Sequence, residues 1–284
     1  MPAQDLKKLA KKSFQIRQSI LSMIFNAQSG HPAGALGMAD IFTALYFANI
    51  LRHNPKRADW DKRDYFLLSN GHICAALYAS LAERGYFPKE ELKTFRQINS
   101  RLEGHPHFEY GSKNNLPGIE NSSGPLGQGY SQAAGIAYAF KMEGKKNKVF
   151  SMMSDGEQQE GQIWEAYQFV IHHQLNNLIG IIDYNKIQIS GNTDQVLSLG
   201  NLKLKLISFG FKVLEIDAHN FEEIINSLEK AKETKKTPVI ILARSIPGKG
   251  VSFMENDYQW HGKAPNEKEF KQAIKELKIK EKNL

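Results

Sequence analysis

The stretch VFSMMSDGEQQEGQIWEAYQFVIHHQLNNLIGIIDYNKI, residues 149–187, decides the fold. It opens on an apolar run at 149–153 and closes on a second at 178–183, with a helical pattern over 159–173 between them. Strands that are apolar throughout have no polar face to offer water, so they predict a parallel sheet shielded on both faces by crossover helices. The first run leads into Asp155-Gly156 and the second into Asn185-Lys186-Ile187. Both turns therefore leave the sheet at the same edge, one βαβ unit apart, where open parallel sheets bind ligands.

Outward from this unit the pattern repeats. Further strands are expected at 65–68, 212–217 and 239–243, and helices at 6–27, 38–51, 73–84, 128–142, 221–232 and 267–277. The fold class that follows is α/β, a doubly wound parallel sheet with helices on both faces. Long connections rich in Gly, Pro and Asn are expected at 28–37, 99–127, 184–200 and 244–265, lengths that point to function rather than simple linkage. No repeat or linker divides the chain, so residues 1–284 are read as one domain.

Composition narrows the function. The 284 residues are 41% hydrophobic and 24% charged, as in ordinary globular proteins. The lone Cys74 cannot make an intramolecular disulfide, and no apolar run approaches a membrane span. A soluble, cytoplasmic protein is expected, without a membrane partner. The net charge of +7 sits in the tails: residues 21–262 hold 25 basic and 25 acidic side chains. The tail lysines alternate with apolar residues at helical spacing and read as solvated helix faces, so nucleic acid is not an expected partner.

Asp155, the Asn185 amide oxygen and a backbone carbonyl are hard oxygen donors suited to Mg²⁺ or Ca²⁺, which normally share their shell with a phosphate group. Gly156 permits close backbone approach, and the helix start that follows offers free N–H groups to an anion. Read alone, the same Asp-Gly is equally a helix cap. Residues 127–132 lack the last glycine of the dinucleotide fingerprint, and Gly248-Lys249 precedes Gly250 rather than Ser or Thr, so neither is a nucleotide loop. Four of nine histidines, His31, His72, His105 and His261, stand in glycine-bearing loops, where imidazole serves recognition or proton transfer. His172 and His173 lie near a helix end and read as structural.

Seven motifs, in order, resemble the transketolase family: Ser-Gly-His-Pro (29–32), Leu-Ser-Asn-Gly-His (68–72), Glu-Gly-His-Pro (103–106), Ser-Gly-Pro-Leu-Gly-Gln-Gly (123–129), Ser-Asp-Gly-Glu-Gln-Gln-Glu-Gly (154–161), Asp-Tyr-Asn-Lys-Ile (183–187) and Trp-His-Gly-Lys (260–263). The resemblance implies the thiamine diphosphate-binding fold of the diphosphate-binding type, with helical extensions at both ends. It implies thiamine diphosphate with Mg²⁺ (or Ca²⁺) held by Asp155, the Asn185 side chain and the Ile187 carbonyl. Gly156 and His72 would approach the diphosphate, Gly124 and Leu126 the aminopyrimidine, and Ile189 the thiazolium. Glu160 would join a subunit-interface network. His31, His105 and His261 would bind the ketose donor and move protons, His261 also lying near the diphosphate.

Ser154 stands where the family usually has glycine, and His107 where it has an acidic residue. The pyrimidine-binding domain, with its activating glutamate, and a third domain have no room here. The resemblance thus implies the N-terminal subunit of a split transketolase of the pentose phosphate pathway, working on sugar phosphates with a companion subunit, two copies of each. The alternatives are specialised ketol transfer on a modified sugar, 2-oxo acid decarboxylation, and a non-catalytic role in cofactor binding or regulation.

Overall fold

The computed structural model describes residues 2–284. In chain order its strands are β1 (Tyr65–Leu68), β2 (Val149–Ser154), β3 (Leu178–Tyr184), a short antiparallel pair β4 (Ile187–Gln188) and β5 (Gly191–Asn192), then β6 (Lys212–Asp217) and β7 (Val239–Arg244). The helices are α1 (Ala3–Ala27), α2 (Pro32–Phe47), α3 (Cys74–Arg84), α4 (Gln128–Met142), α5 (Gly161–His172), α6 (Thr193–Val196), α7 (Leu202–Phe209), α8 (Phe221–Glu233) and α9 (Glu267–Lys282). The five longer strands form one parallel sheet in the order β1-β2-β3-β7-β6.

Successive strand residues point to opposite faces, and here both faces are apolar. Phe66, Phe150, Met152, Ile179 and Ile181 join one core cluster; Leu67, Val149, Met153, Leu178 and Ile182 join the other. The steps from β1 to β2 and from β2 to β3 run in one direction, and α4 and α5 bury Tyr130, Phe140, Ile163 and Tyr167 in the second cluster. The step from β6 to β7 runs backward, and α8 buries Ile224, Ile225 and Leu228 in the first. Crossovers of a single hand change face when the direction of travel reverses, which gives the double winding.

The expected loop at 28–37 is only a turn, because α2 begins at Pro32, whose fixed φ suits a first helical position. Gly34 and Gly37 inside it are packing residues. A Cβ on Gly34 would stand 2.9 Å from Ile73 Cγ2, and one on Gly37 would stand 3.0 Å from the Ile246 carbonyl oxygen. Close packing outweighs their low helix propensity. The same helix stops at Phe47 rather than 51. The pattern expected over 159–173 opens with a 3₁₀ turn, Gly156–Gln159, so that α5 starts at Gly161. The expected loop at 184–200 contains β4, β5 and α6, and α7 arises where Leu and Lys alternate as in a strand. Only Leu202 and Leu206, one helical turn apart, are buried there.

The two basic tails pack on each other. Phe25 of α1 stacks on Phe270 of α9 with ring centroids 4.2 Å apart, while Ala273 and Leu277 enter the same cluster as Ile16, Ile20 and Ile24. Lys7, Lys8, Lys268 and Lys275 face solvent, as a solvated helix face requires. No described helix is long and apolar enough to cross a membrane.

Helices α1 and α2 share a buried ion pair. Arg17 Nη2 donates to Asp40 Oδ2 at 2.7 Å and Nη1 to Oδ1 at 3.0 Å, and Ser13 Oγ donates to the same carboxylate. His219 Nδ1 lies 2.8 Å from Asp40 Oδ2, and its Nε2 accepts the Ile246 N–H at 2.8 Å. The imidazole must therefore be neutral, with its proton on Nδ1. Every polar group of this cluster has a partner, and Asp40 is held far below the usual carboxylate range by Arg17 and His219 against the cost of burial.

Candidate active site

Turns from four neighbouring strands meet at the carboxyl edge of the sheet: Ser69–His72 after β1, Asp155–Gly156 after β2, Asn185–Ile187 after β3, and Ser245 after β7. Among them lies a cleft of about 330 Å³ lined by His31, His72, His261, Gly124 and Leu126 together with Gly156, Glu160, Asn185, Ile187 and Ile189. A larger hollow of about 630 Å³ between α5 and α7, lined by residues such as Trp164, Leu204 and Phe209, presents neither histidine nor carboxylate. The polar groups converge on the first cleft, which makes it the candidate site.

Two fully buried carboxyls lie behind its lining, Asp155 between the lining residues Ser154 and Gly156 and Asp183 bonded to the lining Asn185. Asp155 Oδ1 accepts the Gly156 N–H at 2.8 Å and Oδ2 the Lys186 N–H at 2.6 Å. Lys186 adopts φ +61, a left-handed turn that folds residues 185–187 around Asp155. Asn185 Nδ2 donates to Asp183 Oδ2 at 2.9 Å and its Oδ1 accepts the Ile187 N–H at 2.9 Å; Ser245 Oγ also donates to Asp183. Neither carboxylate has a cationic partner among the described ion pairs. Burial first, then the Asp183 carboxylate, push Asp155 up to about 8, and burial pushes Asp183 up to about 7. Among the described residues no three His, Cys, Asp or Glu side chains converge on a metal position. A cation here relies instead on mixed oxygen donors, one carboxylate with amide and backbone oxygens, which are those a hard divalent ion takes. A buried carboxyl that has no cationic partner and exchanges its proton for a cation, beside such donors, fits that ion.

Three imidazoles of the lining stand together. The ring of His31 lies 5.2 Å from that of His72 and 5.5 Å from that of His261, and His72 and His261 are 5.2 Å apart. His31 comes from the α1–α2 turn, His72 from the 3₁₀ turn after β1, and His261 from the turn ending at Trp260. Burial, then the His261, Arg96 and His105 charges, bring His31 down to about 4, and burial lowers His72 and His261 too. His105 stands apart and exposed, its Cγ 3.8 Å from where a Cβ on Gly124 would be. His107 is exposed and does not line the cleft. His173 instead packs against Tyr138 and Phe169, at 4.6 and 4.4 Å between ring centroids.

Glu157 joins the walls. Fully buried, it accepts from Ser69 Oγ after β1, from the Gly127 N–H of the 123–129 loop, and from the Ser154 N–H at 3.2 Å. Burial raises it to about 7. A Cβ on Gly129 would stand 2.5 Å from Ser69 Cα, so the same loop presses directly onto the turn. Ser154, at the strand end, gives its carbonyl to Gln158 and its hydroxyl to the Glu157 N–H.

Glu157, Asp183, Ser245 and Arg96 were not singled out from the sequence. A carboxylate ending an otherwise apolar strand was a usable signal for Asp183. Arg96 and Ser245 carry no local signal. Six of the eight buried side-chain atoms that lack a hydrogen-bond partner belong to His31, Asn70, Arg96, Ser123 and Gln188, all at or beside this cleft. Concentrated at one cleft, such unfilled hydrogen-bonding capacity fits a site for a polar ligand or ordered water.

Residues 10–283 match the family described as transketolase, thiamine diphosphate binding domain. The chain is 36% identical to an apulose-4-phosphate transketolase subunit of Phocaeicola vulgatus over 96% of this chain and 95% of that one. It is 39% identical to a 6-deoxy-6-sulfo-D-fructose transketolase subunit of a Clostridium species, over 92% and 93%. The solved transketolase of Campylobacter jejuni superposes with a TM-score of 0.89 at 36% identity, covering 98% of this chain and 43% of that one. The chain thus spans nearly the whole of the subunit relatives and under half of the single-chain enzyme.

Proposed function

The chain belongs to the transketolase thiamine diphosphate-binding domain family, and from that premise we propose that it is the N-terminal subunit of a two-chain transketolase, moving a two-carbon ketol unit from a ketose phosphate to an aldose phosphate. The observation that carries the reading is one cleft lined both by three imidazoles, His31, His72 and His261, and by Gly156, Asn185 and Ile187, with the buried Asp155 carboxyl directly behind Gly156. Residues 1–284 act as a single diphosphate-binding domain, whose terminal helices α1 and α9 share one core cluster with the sheet.

Asp155, Asn185 Oδ1 and the Ile187 carbonyl would hold Mg²⁺ or Ca²⁺, for which Asp155 must lose its proton. Gly156, His72 and His261 would face the diphosphate, Gly124 and Leu126 the aminopyrimidine, and exposed Ile189 the thiazolium. When bound, thiamine diphosphate supplies the carbon–carbon bond chemistry. The chain supplies the rest. His31 and His261, both lowered in proton affinity, are free to accept hydrogen bonds and protons from sugar hydroxyls at neutral pH. His105, at the exposed mouth, would hold the donor's outer hydroxyls. Glu160, exposed at the start of α5, faces outward where the interface network with a companion chain would lie.

The companion supplies the activating glutamate and the groups that recognise the far end of the sugar, and two copies of each chain make the assembly. The relatives named for apulose 4-phosphate and for 6-deoxy-6-sulfo-D-fructose favour a second reading, ketol transfer on a modified sugar by the same site. A coupled ketol-transfer assay with xylulose 5-phosphate and ribose 5-phosphate, thiamine diphosphate and Mg²⁺ tests the proposal. Activity is expected only when both chains are mixed. A cofactor-bound complex silent with these sugars but active with a modified ketose supports the second reading; silence with every donor overturns both.

A further inference from the structure

Arg96 is an anomaly. Its backbone adopts φ +58, a left-handed conformation that a long side chain rarely takes, and its Nε is buried without a partner. It forms no described ion pair, although a half-buried guanidinium ordinarily sits beside a carboxylate. Its donors go instead to two neutral oxygens on two different loops. Nη1 donates to Ser29 Oγ at 2.8 Å, two residues before His31, and Nη2 donates to the Gly104 carbonyl at 3.2 Å, one residue before His105. A Cβ on Gly104 would stand 2.9 Å from Arg96 Cζ, so glycine at 104 is what lets the guanidinium lie flat against that loop. The Arg96 N–H donates to the Leu102 carbonyl at 2.8 Å, which anchors the left-handed turn to the same loop.

We propose that Arg96 is a positioning residue of the cleft: one guanidinium ties the loop that carries His31 to the loop that carries His105 and fixes the two imidazoles relative to each other. The two loops lie 67 and 8 residues from Arg96 along the chain. A planar fork reaches both at once, whereas a lysine ammonium is a single point on a flexible stem. The position also has an electrical consequence. The groups whose charges act on His31 are His261, Arg96 and His105, and the one acting on His105 is Arg96, no carboxylate being among them. Arg96 thus disfavours the imidazolium at both rings while holding them in place.

This inference rests on the ketol-transfer reading only for what the two histidines do. The clamp concerns this chain's own residues, so its test does not need turnover. Imidazole titrations of the full chain by NMR, comparing wild type with Arg96→Met and Arg96→Lys, read it directly. Arg96→Met is expected to raise the midpoints of both His31 and His105. Arg96→Lys keeps the charge but not the fork, so the midpoints should stay closer to wild type while kcat in the two-chain assay falls at least tenfold. Unmoved midpoints in a folded Arg96→Met chain, or movement of only one ring, overturn the clamp. Should Arg96→Met not fold, Ser29→Ala removes one anchor and leaves the charge: a several-fold loss of kcat at unchanged Tm supports the proposal, and wild-type kcat overturns it. A two-chain complex with no ketol transfer at all would remove the proposed function and leave the midpoints to decide the clamp.

Discussion

Two buried polar clusters in this molecule are built from the same residue types and solve opposite problems. Arg17, Asp40 and His219 pair every charge and every lone pair between α1, α2 and the turn before α8. Asp155 and Asp183 are equally buried, yet accept only from N–H and hydroxyl groups, beside histidines faced by Arg96 rather than by any acid. Burial acts on all three carboxylates in the same direction; the partner decides whether proton affinity falls, as at Asp40, or rises, as at Asp155. The first cluster joins elements. In the second, burial suppresses the carboxylate charge by raising proton affinity, and the charge is restored only when a cation takes the proton's place.

Substitutions at the two clusters should therefore differ in size. Asp40→Ala leaves Arg17 buried and alone, and is expected to lose about 3–5 kcal/mol in chemical denaturation. Asp155→Asn replaces a buried carboxyl that has no ion-pair partner and sets one amide donor against an N–H donor, so the ligand-free chain should lose about 1–3 kcal/mol, less than the Asp40 variant; equal damage from both would remove the distinction. Glu157 lies between the extremes, inside the site but with three donors. Glu157→Gln turns one donor–acceptor contact into two facing donors, and at pH 8 should lose about 1–3 kcal/mol.

The pH dependence sharpens the contrast. Asp155 and Asp183 bind protons more tightly folded than unfolded, so their contribution falls as pH rises from about 4 toward about 8. The cleft histidines bind protons more weakly folded, so theirs rises with pH until the unfolded histidines discharge near 6.5. Asp40, with its lowered affinity, contributes fully above the unfolded value of 3.8 and loses that as pH drops below it. Above about pH 7.5, once the unfolded histidines have discharged, the Asp155 trend stands alone, and the ligand-free chain should lose about 0.5–1 kcal/mol between pH 7.5 and 8.5. Asp155→Asn should flatten that decline, and a stability that climbs across this window would contradict the raised proton affinity of Asp155. The smallest effect is expected far from both clusters: Lys271→Ala breaks only the exposed pair with Glu267, and Tm should not move.

The sheet was legible in the sequence because its strands are short, apolar and bounded by turn residues, and the structure moves their ends by a residue at most. What was not legible depended on neighbours distant in sequence. The start of α2 at Pro32 follows from Gly34 and Gly37 packing against Ile73 and Ile246, and α7 from the burial of Leu202 and Leu206, neither visible in a local pattern. The cleft was legible as motifs: His31, His72, His261, Gly124, Leu126, Gly156, Asn185, Ile187 and Ile189 all line it. The residues that hold those motifs in place were not. Glu157 reaches Ser69 and Gly127, and Arg96 reaches Ser29, across separations of 30 to 88 residues. Such groups declare themselves only when the chain has folded around them.

Asp155, buried behind the cleft without an ion-pair partner, is held for a metal-bound diphosphate. Calorimetric titration of thiamine diphosphate with Mg²⁺ into this chain mixed with its companion subunit tests it most directly, with wild type and Asp155→Asn run in parallel. Saturable binding to wild type, weakened by roughly 100-fold or more in the variant, is the expected result. Equal affinity in the two would contradict the account.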